Sequence, residues 1–262
     1  MKKVTIAILL AFILVLSTVG LASAITDGEY DGDGHPFVGL MIAQDANGTP
    51  MWRCSGTLIS ETVFLTAGHC TYGADHVEIW FYNNEADVRA NGYPWVGQVG
   101  GTPYTHSDYP TASFVVHDVG VVVLDEAYPM AEYGELPQLN QLDALKTKRG
   151  KQEITFTAVG YGLQKINPVF EERRLDRMVA TPHLIQINVP GFTGDFSMLL
   201  SNNASTGGTC FGDSGGPNFL GDSNVVAGVT SFGINGNCAG TGGVFRMDRQ
   251  TALDFVTPFL DE

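Results

Sequence analysis

Basic residues are scarce in this chain: 14 Lys and Arg stand against 28 Asp and Glu, for a formal net charge of −14 over 262 residues. A surface of that sign repels nucleic acid and anionic membranes, and no basic patch or aromatic-basic stripe counters it. Cysteine is sparse as well. The four present include no CxxC pair and the six histidines are scattered, so the ligand spacing of a zinc site is missing. No internal repeat or low-complexity tract is evident. These absences point to no cofactor, no metal and no nucleic-acid partner, and the acidity reads as solubility outside a cell.

The long apolar run that does occur, Val4 to Val19, is marginally short for a membrane span. Lys2 and Lys3 precede it and Leu21-Ala22-Ser23-Ala24 follows, which is the layout of a secretory signal peptide with an A-x-A cleavage site. No cysteine sits near that site to make a lipoprotein. Cleavage of residues 1–24 leaves 238 of the 262 residues, with no membrane attachment, in an extracellular or periplasmic setting. That length suffices for one large all-β unit or two packed halves. Four cysteines in a secreted chain read as two disulfides with three possible connectivities, of which local pairing is the simplest.

Short runs rich in Val, Ile, Thr, Phe and Tyr recur between turn residues: 62–66, 77–82, 119–124, 154–159, 184–189, 225–232 and 243–247. That pattern predicts an all-β barrel or sandwich. Helical spacing shows at the end, where Ala252, Phe255, Val256 and Phe259 follow Asp248, a candidate N-cap. Pro258 is expected to end or fray that helix. The polar stretch 129–151 divides the chain and reads as a linker between two halves.

Three segments carry chemistry: Leu65-Thr66-Ala67-Gly68-His69-Cys70, then His117-Asp118-Val119-Gly120, then Cys210-Phe211-Gly212-Asp213-Ser214-Gly215-Gly216-Pro217. The last holds a serine on a glycine-flanked turn, where a substrate can come close and the amides of Gly212 and Ser214 can converge on one oxygen. These segments and their spacing resemble the signatures of the chymotrypsin-like serine endopeptidases, and the likeness runs from about Ile25 to the C-terminus. The resemblance implies two packed six-stranded antiparallel β-barrels, about 25–135 and 150–247, with a C-terminal helix at about 248–260. It implies Ser214 as nucleophile, His69 as its base and Asp118 as the group that orients the imidazole. It also supports the pairs Cys54–Cys70, pinning the His69 turn, and Cys210–Cys238, walling the serine.

Two other hydrolase readings fail on residue order. Gly212-Asp213-Ser214-Gly215-Gly216 fits the G-x-S-x-G elbow of α/β hydrolases. That fold needs a histidine after the serine, and the last histidine here is His183. The subtilisin order needs the aspartate first and an alternating strand–helix pattern that is missing. A catalytically silent binding protein on the same scaffold is the alternative from another class, although no triad residue is lost. His117 is expected to face away from Asp118 if that stretch is extended.

In this family the aspartate beside the nucleophile pairs with a newly exposed N-terminal ammonium. Signal cleavage would expose Ile25-Thr26-Asp27-Gly28 here, so Ile25 and Asp213 form the expected activation pair. By the same resemblance the specificity pocket comprises Gly208, Thr209, Ser231, Phe232, Gly233 and Gly243. Gly208 stands where trypsin-type enzymes carry an aspartate, which disfavours a basic residue before the cut. With Gly233 and Gly243 the slot is expected to be open and to favour apolar or aromatic residues. The expected partners are polypeptide substrates, met as a monomer. The crowded acids Asp27, Glu29, Asp31 and Asp33 read as a solvated turn.

Overall fold

The computed structural model describes residues 25–109, 116–146, 153–167 and 170–260. The expected signal segment, 1–24, lies outside them. The first half holds strands β1 (Glu29–Tyr30), β2 (Val38–Gln44), β3 (Pro50–Leu58), β4 (Val63–Thr66), β5 (His76–Trp80), β6 (Val99–Thr105) and β7 (Gly120–Leu124). The second holds β8 (Phe156–Gly160), β9 (Lys165–Asn167), β10 (Phe170–Glu172), β11 (Met178–Ala180), β12 (Leu184–Val189), β13 (Gly194–Asn202), β14 (Pro217–Leu220), β15 (Val226–Gly233) and β16 (Gly240–Arg246). Helices are short: α1 (Gly68–Thr71), α2 (Glu85–Ala90) and α3 (Gln250–Val256).

Strands β2-β3-β4-β7-β6-β5 close into an antiparallel barrel. The second sheet runs β1-β11-β8-β14-β15-β16-β13-β12, an order that is formally open. It nevertheless curls back on itself. Strands β11 and β12 are two halves of one bent run, the first paired with β8 and the second with β13, and a bridge between Thr155 and His183 joins the ends. The second barrel thus closes through one bent strand, with β1 added at its edge.

Strand β7 is Gly-Val-Val-Val-Leu, β-branched and almost wholly buried, so it belongs to the barrel interior. The largest apolar cluster runs from Phe64 and Trp80 inside the first barrel to Phe219, Phe245 and Val256 of the second half. A continuous core of this kind packs the halves as one body. Arg177, fully buried, rivets the seam: its guanidinium donates to Asp31 Oδ2 (2.8 Å), Phe81 O (3.1 Å) and Gly32 O (2.6 Å). Asp31 is therefore a buried ion-pair partner, and the reading of its segment as a solvated turn is corrected at that residue. A lone buried guanidinium would be costly, and pairing it removes most of that penalty.

The C-terminal helix buries Ala252 and Val256, with Phe255 and Phe259 packed against the core. It starts two residues later than expected because Asp248 is not its cap. Asp248 is fully buried and takes Arg246 Nε (2.9 Å) and Leu142 N (2.8 Å) instead. Residues Thr257–Leu260, around Pro258, tighten into a 3₁₀ turn. Within the expected linker, Gly134 N donates to Leu58 O of β3 while Glu135 bridges Val225 and Leu142 is buried, so its described part is tied to both halves.

Candidate active site

Pairing of β4 with β7 sets Thr66 opposite Gly120. His69, one turn beyond β4 in α1, therefore meets Asp118, which lies just before β7. His69 Nδ1 is 3.0 Å from Asp118 Oδ2 and 3.2 Å from Oδ1, and the His69 backbone N–H donates to Oδ1 (2.9 Å). Ser231 Oγ donates to Oδ2 at 2.5 Å. Asp118 is completely buried, and its two oxygens take three donors, so a carboxylate cut off from water is fully hydrogen-bonded here. The His69 ring is about one quarter exposed. Trp52 Nε1 donates to Cys70 O (2.9 Å) and the Cys54–Cys70 disulfide ties α1 to β3. His117 has φ +60° and so leaves the extended path; its ring stacks on His106 and reaches Thr251 on α3.

Ser214 sits on the turn before β14, from the other half of the molecule. Gly215 has φ +77°, and a Cβ there would collide with Thr66 Oγ1, so only glycine lets the two halves close at this point. The amides of Asp213, Gly215 and Gly216 donate to Cys210 O, Thr230 O and Asp213 O. Those of Gly212 and Ser214 have no acceptor among the described residues. Two free N–H groups one residue apart, on a turn carrying a hydroxyl, can serve an oxyanion.

Ser55 of β3 fastens this turn. Its N–H donates to Ser214 O (2.8 Å), and its Oγ donates to Gly212 O (2.9 Å) while accepting from Tyr161 N (3.0 Å). Among the described residues Ser214 Oγ has no hydrogen bond, and bonds of this kind in empty sites are often long until substrate binds.

Asp213 is also fully buried. Oδ1 accepts from Gly162 N (2.7 Å) and Oδ2 from Cys210 N (2.8 Å). Burial pushes its carboxyl up to about 7, against the pull of those two donors and of the Arg53 charge. Gly160 and Gly162 leave its cradle: a Cβ on either would strike the carboxylate. Ile25 is buried with Ala158, Met178 and Ala180 of β8 and β11, and Thr26 bridges Gly208. Ile25 and Asp213 thus lie along the same stretch, 158–162. In the full chain Ile25 is joined to Ala24, so it offers no ammonium, and no ion pair links the two.

Beside Ser214 lies a slot of about 110 Å³ whose lining includes Thr209, Ser231, Phe232, Gly233 and Asn202. The Cys210–Cys238 disulfide forms part of its wall. The spaces at the two remaining glycines are filled from within the chain. A Cβ on Gly208 would run into the Asn202 side chain, and one on Gly243 into the Phe232 ring. Asn202, 3% exposed, donates Nδ2 to Thr209 O (2.8 Å) and takes the Thr26 hydroxyl at Oδ1 (2.9 Å).

Ser55, Asn202 and the pair Gly160 and Gly162 escape a reading of the sequence alone. The Gly160-Tyr161-Gly162 triplet was the available signal for the last, and the Ser55 role arises only when the halves meet. Cys54, His69 and Cys70 come together as potential metal ligands, but both sulfurs are committed to their disulfide.

The model of the trypsin family matches residues 30–253. Serine protease 1 of Drosophila melanogaster is 29% identical over 248 residues, spanning 90% of this chain and 83% of that protein. Chymotrypsin of Phaedon cochleariae is 28% identical over 222 residues, 80% of this chain and 72% of that protein. The solved HL collagenase structure superposes with a TM-score of 0.70 at 20% identity, covering 91% of this chain and 99% of that one, which bears on the fold alone. With a family match over most of its length and this barrel pair beneath it, the chain belongs to the trypsin family of serine endopeptidases.

Proposed function

We propose that this protein is secreted and cleaves polypeptides through an acyl-enzyme. As Ser214 attacks the scissile carbonyl, His69 takes its proton and later delivers it to the leaving amine; Asp118 holds the tautomer and balances the imidazolium. The Gly212 and Ser214 amides receive the developing negative charge. The observation that carries this reading is the buried Asp118 against His69, facing a serine turn that keeps those two amides free. Among the described residues no charged side chain lines the slot, which supports an apolar or aromatic residue before the bond, with Asn202 limiting how far it reaches.

Cleavage after Ala24 would free the Ile25 ammonium beside the cradle of Asp213, an acid with no countercharge bonded to it among the described residues. Activity then fades at alkaline pH as that amine loses its proton. A fluorophosphonate probe on the mature protein is expected to label Ser214, and Ser214→Ala to abolish labelling. Chromogenic peptides that vary the residue before the cut are expected to favour Phe, Leu and Met over Arg. Absence of labelling on folded protein supports the silent binding protein instead, and a strong Arg preference overturns the pocket reading.

A further inference from the structure

On the far side of the serine turn from the slot lies an open groove of about 660 Å³. Phe211 lines both, so the turn separates them like a ridge. Gly212, Arg53, Arg89 and Arg173 line the groove. In an acidic protein, three arginines on one short surface stand out from the rest of the chain.

They are not equivalent. Arg89 is held by Glu85 (2.7 Å) and Arg173 by Glu171. Arg53 is half-buried, and among the described residues it is the only arginine with no carboxylate within 4 Å. Its guanidinium lies against Gly212: a Cβ built there would be 2.9 Å from Nη2 and 3.0 Å from Nε. Asp213 feels its charge, but both Asp213 oxygens are bonded to backbone amides. A partly desolvated guanidinium left with open donors beside the reacting centre is poised for an external carboxylate.

We propose that Arg53 selects an acidic residue in the first two positions after the scissile bond. The inference rests on the protease reading above. A substrate whose leading side chain fills the slot, and whose carbonyl oxygen sits at the Gly212 and Ser214 amides, must continue across the Phe211 ridge into this groove. One residue of extended chain spans about 3.3 Å, so the first two residues past the bond are those within reach of a group packed on Gly212. The net charge of −14 does not oppose this at contact range, because salt screens exposed charges beyond about 10 Å.

Internally quenched peptides that differ only in Glu, Gln or Lys at those two positions test the proposal. Wild type is expected to favour Glu over Gln by roughly five- to ten-fold in kcat/KM, with the margin shrinking as salt rises. Arg53→Gln is expected to bring the ratio to about one, and Arg53→Glu to invert the order toward Lys. The ratio is internal to each variant, so a general loss of activity does not mask it. Equal cleavage of Glu and Gln peptides by wild type overturns the proposal while leaving the protease reading intact. So does an Arg53→Gln variant that slows every peptide alike with the Glu preference kept, the outcome expected if Arg53 merely serves Asp213. Failure to cut any peptide, with no labelling of Ser214, removes the protease reading itself.

Discussion

Asp118 and Asp213 are both closed off from water and sit on either side of the same serine, yet their surroundings differ in kind. Asp118 belongs to the first half and collects three donors: a backbone amide, an imidazole and a hydroxyl. Asp213 belongs to the second half and has two backbone amides, and burial drives its proton affinity up. The first is a finished site, satisfied without anything from outside. The second has no cation bonded to it among the described residues, and in the proposed function the ammonium of Ile25 supplies one. Under the proposed function, one carboxylate is a component of the chemistry and the other a receptor for the ammonium of Ile25.

The largest effect separates them most sharply. Asp118→Asn replaces an acceptor by an amide that cannot serve all three donors, and it favours the wrong imidazole tautomer. A fall in kcat of about four orders of magnitude is expected, the size the family's serine–histidine–aspartate template gives for this change. A chain that folds and keeps its rate would remove Asp118 from the mechanism.

A smaller effect tests the other carboxylate. In a chain with residues still preceding Ile25, the folded Asp213 holds its proton to about pH 7, while the unfolded one releases it near 3.8. Between those values the folded state binds more protons. Stability is therefore fully present below about pH 4 and falls as pH rises to about 7, by up to about 4 kcal/mol. Denaturant midpoints across that range should show the slope, and Asp213→Asn should flatten it. In the chain beginning at Ile25 the ammonium should lower the Asp213 carboxyl and remove or reverse the slope. The same slope in both chains would rule out the activation pair.

Smallest is the change at Ser55, which serves both sides. Ser55→Ala loses the hydroxyl that fixes Gly212 O and leaves Tyr161 N without its acceptor, a stability loss of about 1–2 kcal/mol. Because the turn that carries the Gly212 and Ser214 amides, the proposed oxyanion donors, loosens, kcat is expected to fall about ten-fold with KM little changed. Equal losses in kcat and rising KM would instead mean that the substrate groove had moved.

The first carboxylate was readable in the sequence and most of the second site was not. His69, Asp118 and Ser214 stand in short segments that resemble the family's signatures in order and spacing, and that resemblance, not any one residue, singled them out. Strands with a visible pattern, such as 119–124 and 184–189, were found near their observed bounds. Strand β2 was not, because Val38–Gln44 is buried on both faces and carries no alternation to read. Asp248 looked like a helix cap because it precedes an amphipathic run, but buried Arg246 competes for it more strongly. Asn202 and Ser55 take their roles from partners that only folding brings near. Local pattern cannot reach such pairings, and Gly208 illustrates the limit: its missing side chain promised space that Asn202 occupies.

The amide of Ser55 crosses from one barrel to the carbonyl of Ser214 on the other. That single proton is a clock. Its exchange with deuterated solvent reads how often that bond opens, and an opening that parts the halves leaves Ser214 on one barrel and His69 on the other.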